Sequence, residues 1–534
     1  MIIPSRGRAL PVTLAIGAAA GGTIVALYYF WLGLTLSHYD ARGHLVVARR
    51  VLDSITPGWQ QIGAVWLPLP HLLNLLPVQI DAFYRTGASA VAISIAAFGL
   101  ATGAIAWIVR HATGSAVSAV VASLAFALNP NVLYLQSTPM TEPLLLALTL
   151  AAVALLMAWC DAGSEPPPPG PRRSGPAGGL VGGAFALACL TRYEAWPVTA
   201  AALAAAIWVR WRNGEGLSVA GRRTAAVAVY PAAALAAFAI HSRVVVGAWF
   251  TASGFFVPEN KALGRPLLAL TEIGWGAHAL SGTLTMGVAG IGLTALGVWG
   301  LMRRERAVAL VPVALLAAAA LPWVAFLEGH PFRIRYMVPL LAAEAIGIGA
   351  AAGIVPRAPS IAALAIALAL AFDVRPLSST APMVLEAQWD RPNVRARQRV
   401  TDCLRANYDG ETIMASMGSL GHYMQETSRD GFTIRNFLHE GNGDIWLWAL
   451  NGPQPYAGWV LIEEKAEGGD MLAHFARERP SFLSGYARVC EGAGVALYRR
   501  TSHSQGAAAG SADPQGPPYA QSDRRQNLTL TLNR

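Results

Sequence analysis

Residues 9–44 read ALPVTLAIGAAAGGTIVALYYFWLGLTLSHYDARGH, an apolar run that ends abruptly in a polar, charged segment. The apolar part, residues 9–36, exceeds the roughly 20 residues that cross a bilayer and is longer than the signal-peptide core of about 7–15 residues. Because Arg6 and Arg8 precede it, we predict a retained first transmembrane helix with its N-terminus inside. A signal peptide cleaved near residues 18–20 is the alternative.

The composition extends this pattern to the whole chain. The 534 residues are 54% hydrophobic and only 13% charged, and the mean hydropathy is +0.41. Soluble domains carry about 25% charged residues, so the chain is an integral membrane protein. The net charge of +9 is mostly arginine in loops, as expected of cytoplasmic loops, and does not indicate nucleic-acid binding.

Apolar segments predict about eleven transmembrane helices and a mainly α fold. They cover residues 11–36, 86–109, 115–130, 143–160, 178–191, 196–210, 224–241, 281–302, 307–327, 336–354 and 359–373. With the N-terminus inside, an odd number of crossings places the C-terminal part outside. Basic residues are moderately more frequent in the loops predicted to lie inside, which agrees with this orientation.

The connecting segments divide into three kinds. The long outer loop 37–85 contains a predicted surface helix at 41–54, suited to lying in the membrane interface. Residues 242–280, rich in glycine and proline among aromatics, predict a mobile loop over a site. The proline run at 166–169 predicts an inner linker without regular structure.

The composition changes after residue 373, where the transmembrane domain (1–373) is predicted to end. Residues 374–500 predict a small extracytoplasmic α/β domain, and residues 501–534 predict a disordered tail. Within residues 374–500 the predicted strands lie near 412–417, 458–463 and 495–499, and the predicted helices near 386–407 and 469–478.

The four cysteines do not form a zinc or redox motif. Cys403 and Cys490 both fall in the predicted outer domain, where an oxidising compartment permits a disulfide, although sequence does not show their separation. Cys160 and Cys189 lie near membrane segments and are interpreted as packing residues.

Four short polar segments at helix ends hold the candidate functional residues. In SHYDARGH (residues 37–44), Asp40 is a candidate general base that takes a proton from an attacking hydroxyl; helix capping is the alternative. His44 is a further catalytic candidate. Together with His38 and Asp40 it also forms a possible site for a divalent cation, although no cofactor is firmly implied.

Two of these segments carry an acid in a turn between two helices. In STPMTEP (residues 137–143), Glu142 is a candidate second carboxylate or sugar contact, and capping of the following helix is the alternative. In LTRYEAWP (residues 190–197), Arg192, Tyr193 and Glu194 are candidate contacts for sugar or phosphate. An internal ion pair between Arg192 and Glu194 is the alternative.

The last segment, EGHPFRIRY (residues 328–336), carries Arg333, Arg335 and Tyr336. Two arginines separated by one residue can converge on one phosphate where the backbone is not helical, and the guanidinium fork matches phosphate bidentately. Snorkelling to the interface beside Tyr336 is the alternative. Glu344 falls within a predicted span and receives no role.

These four segments together resemble the polytopic glycosyltransferases of the GT-C class, in the family 39-like branch related to protein O-mannosyltransferases and the aminoarabinose transferases of lipid A. The resemblance covers roughly residues 10–375. It rests on an Asp after the first helix, the Thr-Glu-Pro turn, the Arg-Tyr-Glu-Ala-Trp hairpin and the Arg-containing turn before a late helix.

The resemblance implies a membrane enzyme that transfers sugar, with inversion, from a polyprenyl-phosphate donor to an extracytoplasmic lipid, glycan or protein acceptor, in the bacterial inner membrane. It implies Asp40 as base, Arg333 or Arg335 as phosphate ligands, and Glu142 and Glu194 at the sugar. Many relatives carry a second acid after the aspartate, where this chain has Ala41, which favours Asp40 alone or with His44.

Two other functional classes are compatible with a polytopic chain. A secondary transporter or lipid flippase is expected to show broken helices and polar sites near the midplane, whereas the polar residues here fall at helix ends. A non-catalytic assembly subunit of the cell envelope is the other alternative. An activity that depends on a carboxylate would separate the enzyme from both.

Overall fold

The computed structural model describes residues 5–162, 176–247, 249, 260–354 and 359–501. The linker predicted at 166–169 and the predicted tail beyond residue 501 lie outside these residues. Within the described ranges the chain is mainly helical, with one small mixed sheet in its C-terminal part.

The helices before residue 374 form the membrane part and the loops between its helices. They are α1 (Ser5–Trp31), α2 (Tyr39–Arg50), α3 (Leu69–Asn74), α4 (Asp81–Thr86), α5 (Ala88–Thr113), α6 (Ala116–Ala127), α7 (Pro130–Leu135), α8 (Glu142–Ala162), α9 (Gly178–Cys189), α10 (Ala195–Arg212), α11 (Leu217–Val246), α12 (Pro266–Ser281), α13 (Thr283–Met302), α14 (Ala320–Leu327), α15 (Leu340–Gly353) and α16 (Pro359–Asp373). Segments of 3-10 helix lie at Trp59–Ile62, Pro77–Gln79, Arg304–Ala319 and Ile334–Met337.

The prediction of a polytopic helical membrane protein is confirmed. Among the described residues, seven helical segments are long and apolar enough to cross a membrane by length and composition, and three shorter apolar helices accompany them. With α10, which ends in Arg210 and Arg212, they account for all eleven predicted helices. A backbone in hydrocarbon must satisfy its own hydrogen bonds, which is why these apolar runs form helices.

The mobile loop predicted at 242–280 is wrong over its second half, where α12 forms. Pro266 lies in the first turn of α12, where its missing N–H has no helical partner to lose. The glycines and prolines before residue 267 indicated a loop and obscured the helical periodicity that follows. Buried residues of α12 recur at that periodicity, at Ala269, Ile273 and Ala277.

The surface helix predicted at 41–54 corresponds to α2, but α2 is buried rather than lying in the membrane interface. Leu45 and Val46 are fully buried in a cluster that includes residues of the C-terminal part. Its Arg49 pairs with Asp53 at 2.9 Å and with Asp81 at 2.7 Å. The arginines therefore indicate internal ion pairs, because a buried cation requires a compensating charge.

The C-terminal part is a small α/β fold, as predicted. The strands β1 (Ile413–Ala415), β2 (Phe437–Leu438), β3 (Trp459–Glu463), β4 (Tyr486–Gly492) and β5 (Val495–Arg500) form a sheet in the order β2-β1-β3-β5-β4. β1 pairs in parallel with β2 and β3, and β5 pairs antiparallel with β3 and β4. Helices α17 (Pro382–Ala387), α18 (Val394–Asn407), α19 (Met417–Thr427), α20 (Asp444–Asn451) and α21 (Met471–Glu478) accompany the sheet, with 3-10 turns at Arg391–Asn393, Ser428–Asp430, Ile434–Asn436, Glu440–Asn442, Ala466–Gly468 and Pro480–Leu483.

Two strands of this sheet were not predicted from the sequence. Strand β2 has only two residues, too few for a pattern of alternation. Strand β4 lies at the sheet edge and exposes most of its residues, so it lacks the apolar alternation of a half-buried strand.

The disulfide between Cys403 and Cys490, which the sequence alone could not decide, is formed. Cys403 of α18 and Cys490 of β4 are bonded across a sequence separation of 87 residues. Cys160 and Cys189 are buried and lie outside this disulfide, in agreement with their interpretation as packing residues.

Candidate active site

Asp40 and Arg335 form a buried ion pair at the N-terminal end of α2. Asp40 lies in the first turn of α2, and Arg335 belongs to the 3-10 turn Ile334–Met337, 295 residues further along the chain. Burial raises the pKa of Asp40, but the Arg335 cation outweighs it and, with smaller contributions from the neighbouring His38 and His44, lowers the pKa of Asp40 to about 2. Asp40 is therefore a carboxylate at any pH near neutrality.

The cap of α2 is His38 rather than Asp40, so the capping alternative for Asp40 is wrong. The Nδ1 atom of His38 accepts the backbone N–H of Asp40 at 3.1 Å. In a neutral ring the proton is then on Nε2, which lies 3.5 Å from Oε1 of Glu386. The carboxylate of Asp40 is consequently available to Arg335.

Arg192 holds two buried carboxylates together. Its guanidinium lies 2.9 Å from Oε1 of Glu142 and 2.7 Å from Oε1 of Glu194, and it donates to Oγ1 of Thr141 at 3.1 Å. Glu142 begins α8, where the helix dipole favours a negative charge. The predicted internal ion pair is present, and it leaves one negative charge in excess in this group.

The two ion-paired groups lie close enough to influence each other. The negative charge of Glu142 acts favourably on the Arg335 cation, and Arg335 and Arg192 repel each other. The ring of His44 is subject to the charges of Asp40, Arg192 and Arg335. Residues from all four polar segments are thus assembled at one end of the helical bundle.

His44 makes its contact with a histidine that the motifs did not point to. Its Nδ1 atom lies 3.0 Å from Nε2 of His71, and the ring of Trp66 lies 4.2 Å from the His44 ring. Burial lowers the pKa of His44 far below the usual value and lowers that of His71 to about 3. Both rings are therefore neutral near neutral pH.

The structure does not assemble the cation site that the sequence left open at His38, Asp40 and His44. One ring nitrogen of each histidine is engaged in a contact within the protein. Among the residues that the structure describes, no group of three or more His, Cys, Asp or Glu side chains is arranged to hold a metal ion.

Tyr193 and Tyr336 contact other protein groups. The Tyr193 hydroxyl donates to the carbonyl of Val65 at 3.1 Å, which ties the α9–α10 hairpin to the first outer loop. The Tyr336 hydroxyl lies 3.4 Å from Nε2 of His330, and its ring lies 5.7 Å from the Arg335 guanidinium. Substrate contacts by these tyrosines stay predictions.

Arg333 and Arg335 have different neighbours. Arg335 is buried against Asp40, whereas Arg333 is half-buried and its guanidinium lies 6.0 Å from the ring of Trp389. The backbone is extended at Arg333, with φ −134° and ψ 114°, but Arg335 lies in the 3-10 turn Ile334–Met337. The non-helical backbone that the sequence argument assumed is therefore found at Arg333 only. Joint binding of one phosphate stays a prediction.

An apolar cavity lies beside Glu194. It is lined mostly by apolar side chains: Leu145, Leu146, Thr149, Leu150, Val198, Leu315, Ala318, Pro339 and Ala342. A second small cavity is lined in part by Glu344, Asn129 and Thr285 and includes none of the residues of the two ion-paired groups. The first cavity therefore places apolar side chains next to a charged group.

Comparisons with known proteins give a match at the level of the fold. No protein-family model matches the chain, and no curated protein matches it by sequence. The crystal structure of ArnT from Cupriavidus metallidurans bound to undecaprenyl phosphate superposes with a TM-score of 0.53 at 14% identity, covering 91% of this chain and 98% of that one. The GT-C-type fold predicted from the four motifs is therefore confirmed.

Proposed function

We propose that this chain is a membrane glycosyltransferase that moves a sugar, with inversion, from a polyprenyl-phosphate donor to an extracytoplasmic acceptor. The observation that carries the proposal is the buried Asp40–Arg335 pair, which combines a base with a phosphate ligand in one site. The likeness to an ArnT that is bound to undecaprenyl phosphate supports the choice of a polyprenyl-phosphate lipid.

The burial of so many charges supports a functional rather than a stabilising role. Removing an ion from water costs several kcal/mol even after relaxation, and a buried pair rarely recovers more than that cost. Ionisable groups in membrane proteins are therefore rare and mark functional sites. Here Asp40, Glu142, Glu194, Arg192 and Arg335 are all buried or nearly so.

In the proposed reaction an acceptor hydroxyl attacks C1 of the donor sugar on the face opposite the phosphate. A C–O bond to the acceptor forms while the bond from C1 to the phosphate oxygen breaks, and the lipid phosphate leaves with the electron pair. The hydroxyl proton moves to Asp40. A single displacement of this kind inverts the configuration at C1.

Arg335 links donor binding to the basicity of Asp40. A carboxylate with a pKa of about 2 is a weak base, because general bases work best when their pKa lies near the operating pH. The Nε atom of Arg335 is buried and has no hydrogen-bond partner within the described ranges, so it is available to a phosphate oxygen. A bound phosphate shares the cation with Asp40 and thereby makes Asp40 a stronger base.

The second group and the apolar cavity suit the rest of the donor. Glu142 and Glu194 can accept hydrogen bonds from sugar hydroxyls while Arg192 holds both carboxylates in place. The apolar cavity beside Glu194 has the chemistry of the first isoprene units of a polyprenyl chain. Stabilisation of the leaving phosphate by fixed cations is the main electrostatic contribution expected in such a site.

The same proposal assigns a membrane orientation to the chain and a role to each of its three parts. We place the N-terminus in the cytoplasm and the C-terminal part outside the bacterial inner membrane, where an oxidising compartment permits the Cys403–Cys490 disulfide. Residues 1–373 act as the transferase domain, residues 374–500 as an extracytoplasmic domain that takes part in acceptor choice, and residues 501–534 as a tail.

The proposal is tested by transfer from labelled polyprenyl-phosphate sugars to acceptors in native membranes. Wild-type protein is compared with Asp40→Asn and with the matched control Asp161→Asn, which removes a carboxylate paired with His111 outside the site. We expect transfer by wild type and control and at least a hundredfold loss in Asp40→Asn. Transfer that survives Asp40→Asn contradicts the base assignment, and wild-type protein that moves lipid without forming a glycosidic bond indicates a flippase.

A further inference from the structure

A group of exposed and half-buried side chains lies next to the Asp40–Arg335 pair and is not used in the reaction described above. It consists of Tyr39 from α2, and Glu386 and Trp389 from α17 and the turn that follows it. We call these three residues the aromatic shelf. Helix α17 lies against the 3-10 turn that carries Arg335, so the shelf and the ion pair are neighbours.

Trp389 offers an open aromatic face. Its side chain is 70% exposed, and the Arg333 guanidinium lies 6.0 Å from its ring, at the outer limit for a cation–π contact. The rest of the protein therefore leaves most of the indole ring accessible. Its position is consistent with a ring kept open for a ligand.

Tyr39 brings a hydroxyl into the same place. Its ring stacks on His38 with centroids 4.7 Å apart, and its phenol is subject to the charges of Asp40, Arg335, Arg333 and Glu386. No group in the described ranges forms a hydrogen bond with its hydroxyl. The phenol of Tyr39 therefore lies within the electrostatic range of the Asp40–Arg335 pair.

Glu386 supplies an acceptor. One carboxylate oxygen faces Nε2 of His38 at 3.5 Å, whereas Oε2 is buried and has no hydrogen-bond partner in the described part of the chain. A buried, unsatisfied carboxylate oxygen is costly, and a hydroxyl donated by a ligand would satisfy it. His38 in turn is fixed by the backbone N–H of Asp40.

We propose that the aromatic shelf binds the acceptor and that the acceptor is a saccharide. This inference rests on the proposed function. A sugar ring has an apolar C–H face that packs on an aromatic ring and a rim of hydroxyls that need polar partners. Trp389 offers the face, and Tyr39 and Glu386 offer the polar contacts that fix orientation.

The position of the shelf separates acceptor from donor. The donor has a polyprenyl chain and is matched by the apolar cavity beside Glu194. The shelf is built largely from the C-terminal part, which carries no apolar span after residue 373 among the described residues. Because Tyr39 precedes Asp40 and α17 lies against the turn that carries Arg335, an acceptor on the shelf is close to the proposed base.

Saccharide binding to the shelf is tested in an experiment that does not depend on sugar transfer. Purified full-length protein in lipid nanodiscs is mixed with mannobiose, cellobiose, chitobiose and galactobiose, and saturation-transfer-difference NMR is recorded for wild type, Trp389→Ala, Trp389→Phe, Tyr39→Phe and Trp448→Ala. Trp448 is the matched control, because it is another tryptophan of the C-terminal part with 55% exposure. Only variants whose Tm matches that of the wild type are compared.

We expect at least one disaccharide to show saturation transfer with wild type and with Trp448→Ala, and the signal to vanish in Trp389→Ala. Trp389→Phe retains most of it, since a smaller aromatic face remains, and Tyr39→Phe weakens it. Absence of any wild-type signal, or a signal that is equal in Trp389→Ala and Trp448→Ala, overturns the inference.

A kinetic experiment distinguishes this inference from the proposed function. With a transferable donor at saturation, Trp389→Ala should raise the KM for the acceptor about tenfold while the KM for the donor and kcat stay close to wild type. A lower kcat with an unchanged acceptor KM overturns the shelf but leaves the transferase proposal intact. No transfer by wild type together with Trp389-dependent disaccharide binding refutes the transferase and leaves a saccharide site.

Discussion

Replacing Arg335 with glutamine removes the only cation in direct contact with Asp40 among the described residues. Truncating one partner of a buried ion pair costs about 3–5 kcal/mol, because the other charge is left uncompensated. Asp40 recovers part of that cost by taking up a proton. Without Arg335, burial becomes the dominant influence on Asp40, and burial raises the pKa of its carboxyl group. That pKa should therefore rise from about 2 to above the ordinary aspartate value of about 3.9.

The sign of the pH dependence follows from these pKa values. In the wild type the folded-state pKa of Asp40 is lowered, so its contribution to stability is present above the unfolded-state pKa and is lost as the pH falls towards 2. In Arg335→Gln the folded-state pKa is raised, so its contribution is present at low pH and is lost as the pH rises through that value. The difference in stability between the two proteins should therefore widen between pH 4 and pH 7.

The measurement is Tm against pH in one detergent for wild type, Arg335→Gln, Asp40→Asn and the double variant Asp40→Asn/Arg335→Gln. We expect the double variant to regain most of the stability lost in Arg335→Gln, because no charge is left unpaired, while remaining inactive. Arg335→Gln with a wild-type Tm at pH 7, or a double variant no more stable than Arg335→Gln, would refute the reasoning.

Three further predictions concern other parts of the site and fold. Glu142→Gln should lower kcat by roughly tenfold to a hundredfold, the value of a hydrogen bond to a charged group, with little change in Tm. Initial rates measure this, and full activity would remove Glu142 from the sugar contacts. The pKa of His71 is lowered to about 3 in the folded protein, so its protonation below the ordinary histidine pKa of about 6.5 favours unfolding. His71→Gln should therefore make the fall in Tm between pH 7 and pH 5 shallower. An unchanged dependence of Tm on pH contradicts this. Replacing both Cys403 and Cys490 by serine should cost about 2–5 kcal/mol, seen as a lower Tm that no longer responds to reductant.

The helices and their ends were predictable because the information is local. Apolar runs long enough to cross a bilayer appear directly in the sequence, and their ends alternate between the two faces of the membrane. Residues such as Asp40, Glu142, Glu194 and Arg335 could therefore be assigned to one face from the sequence alone. Of their ion pairs, the sequence offered only Arg192–Glu194, because Asp40 and Arg335 lie 295 residues apart.

The parts that were missed depend on contacts between distant segments. His71 and Glu386 acquire their roles only because α3 and α17 fold back against α2, and Glu386 meets His38 across 348 residues. No local pattern marks Trp389 as the neighbour of Arg333. The burial of α2 was missed for the same reason, because its covering residues belong to the C-terminal part.

The configuration at C1 of the transferred sugar tests the central claim most directly. Wild-type protein in proteoliposomes is given a polyprenyl-phosphate sugar of known anomeric configuration, and the product is analysed by NMR together with the released lipid phosphate. The account predicts a new glycosidic bond of the opposite configuration, with one equivalent of polyprenyl phosphate released and no product from Asp40→Asn. Retention of configuration, or lipid translocation with no bond formed, would contradict it.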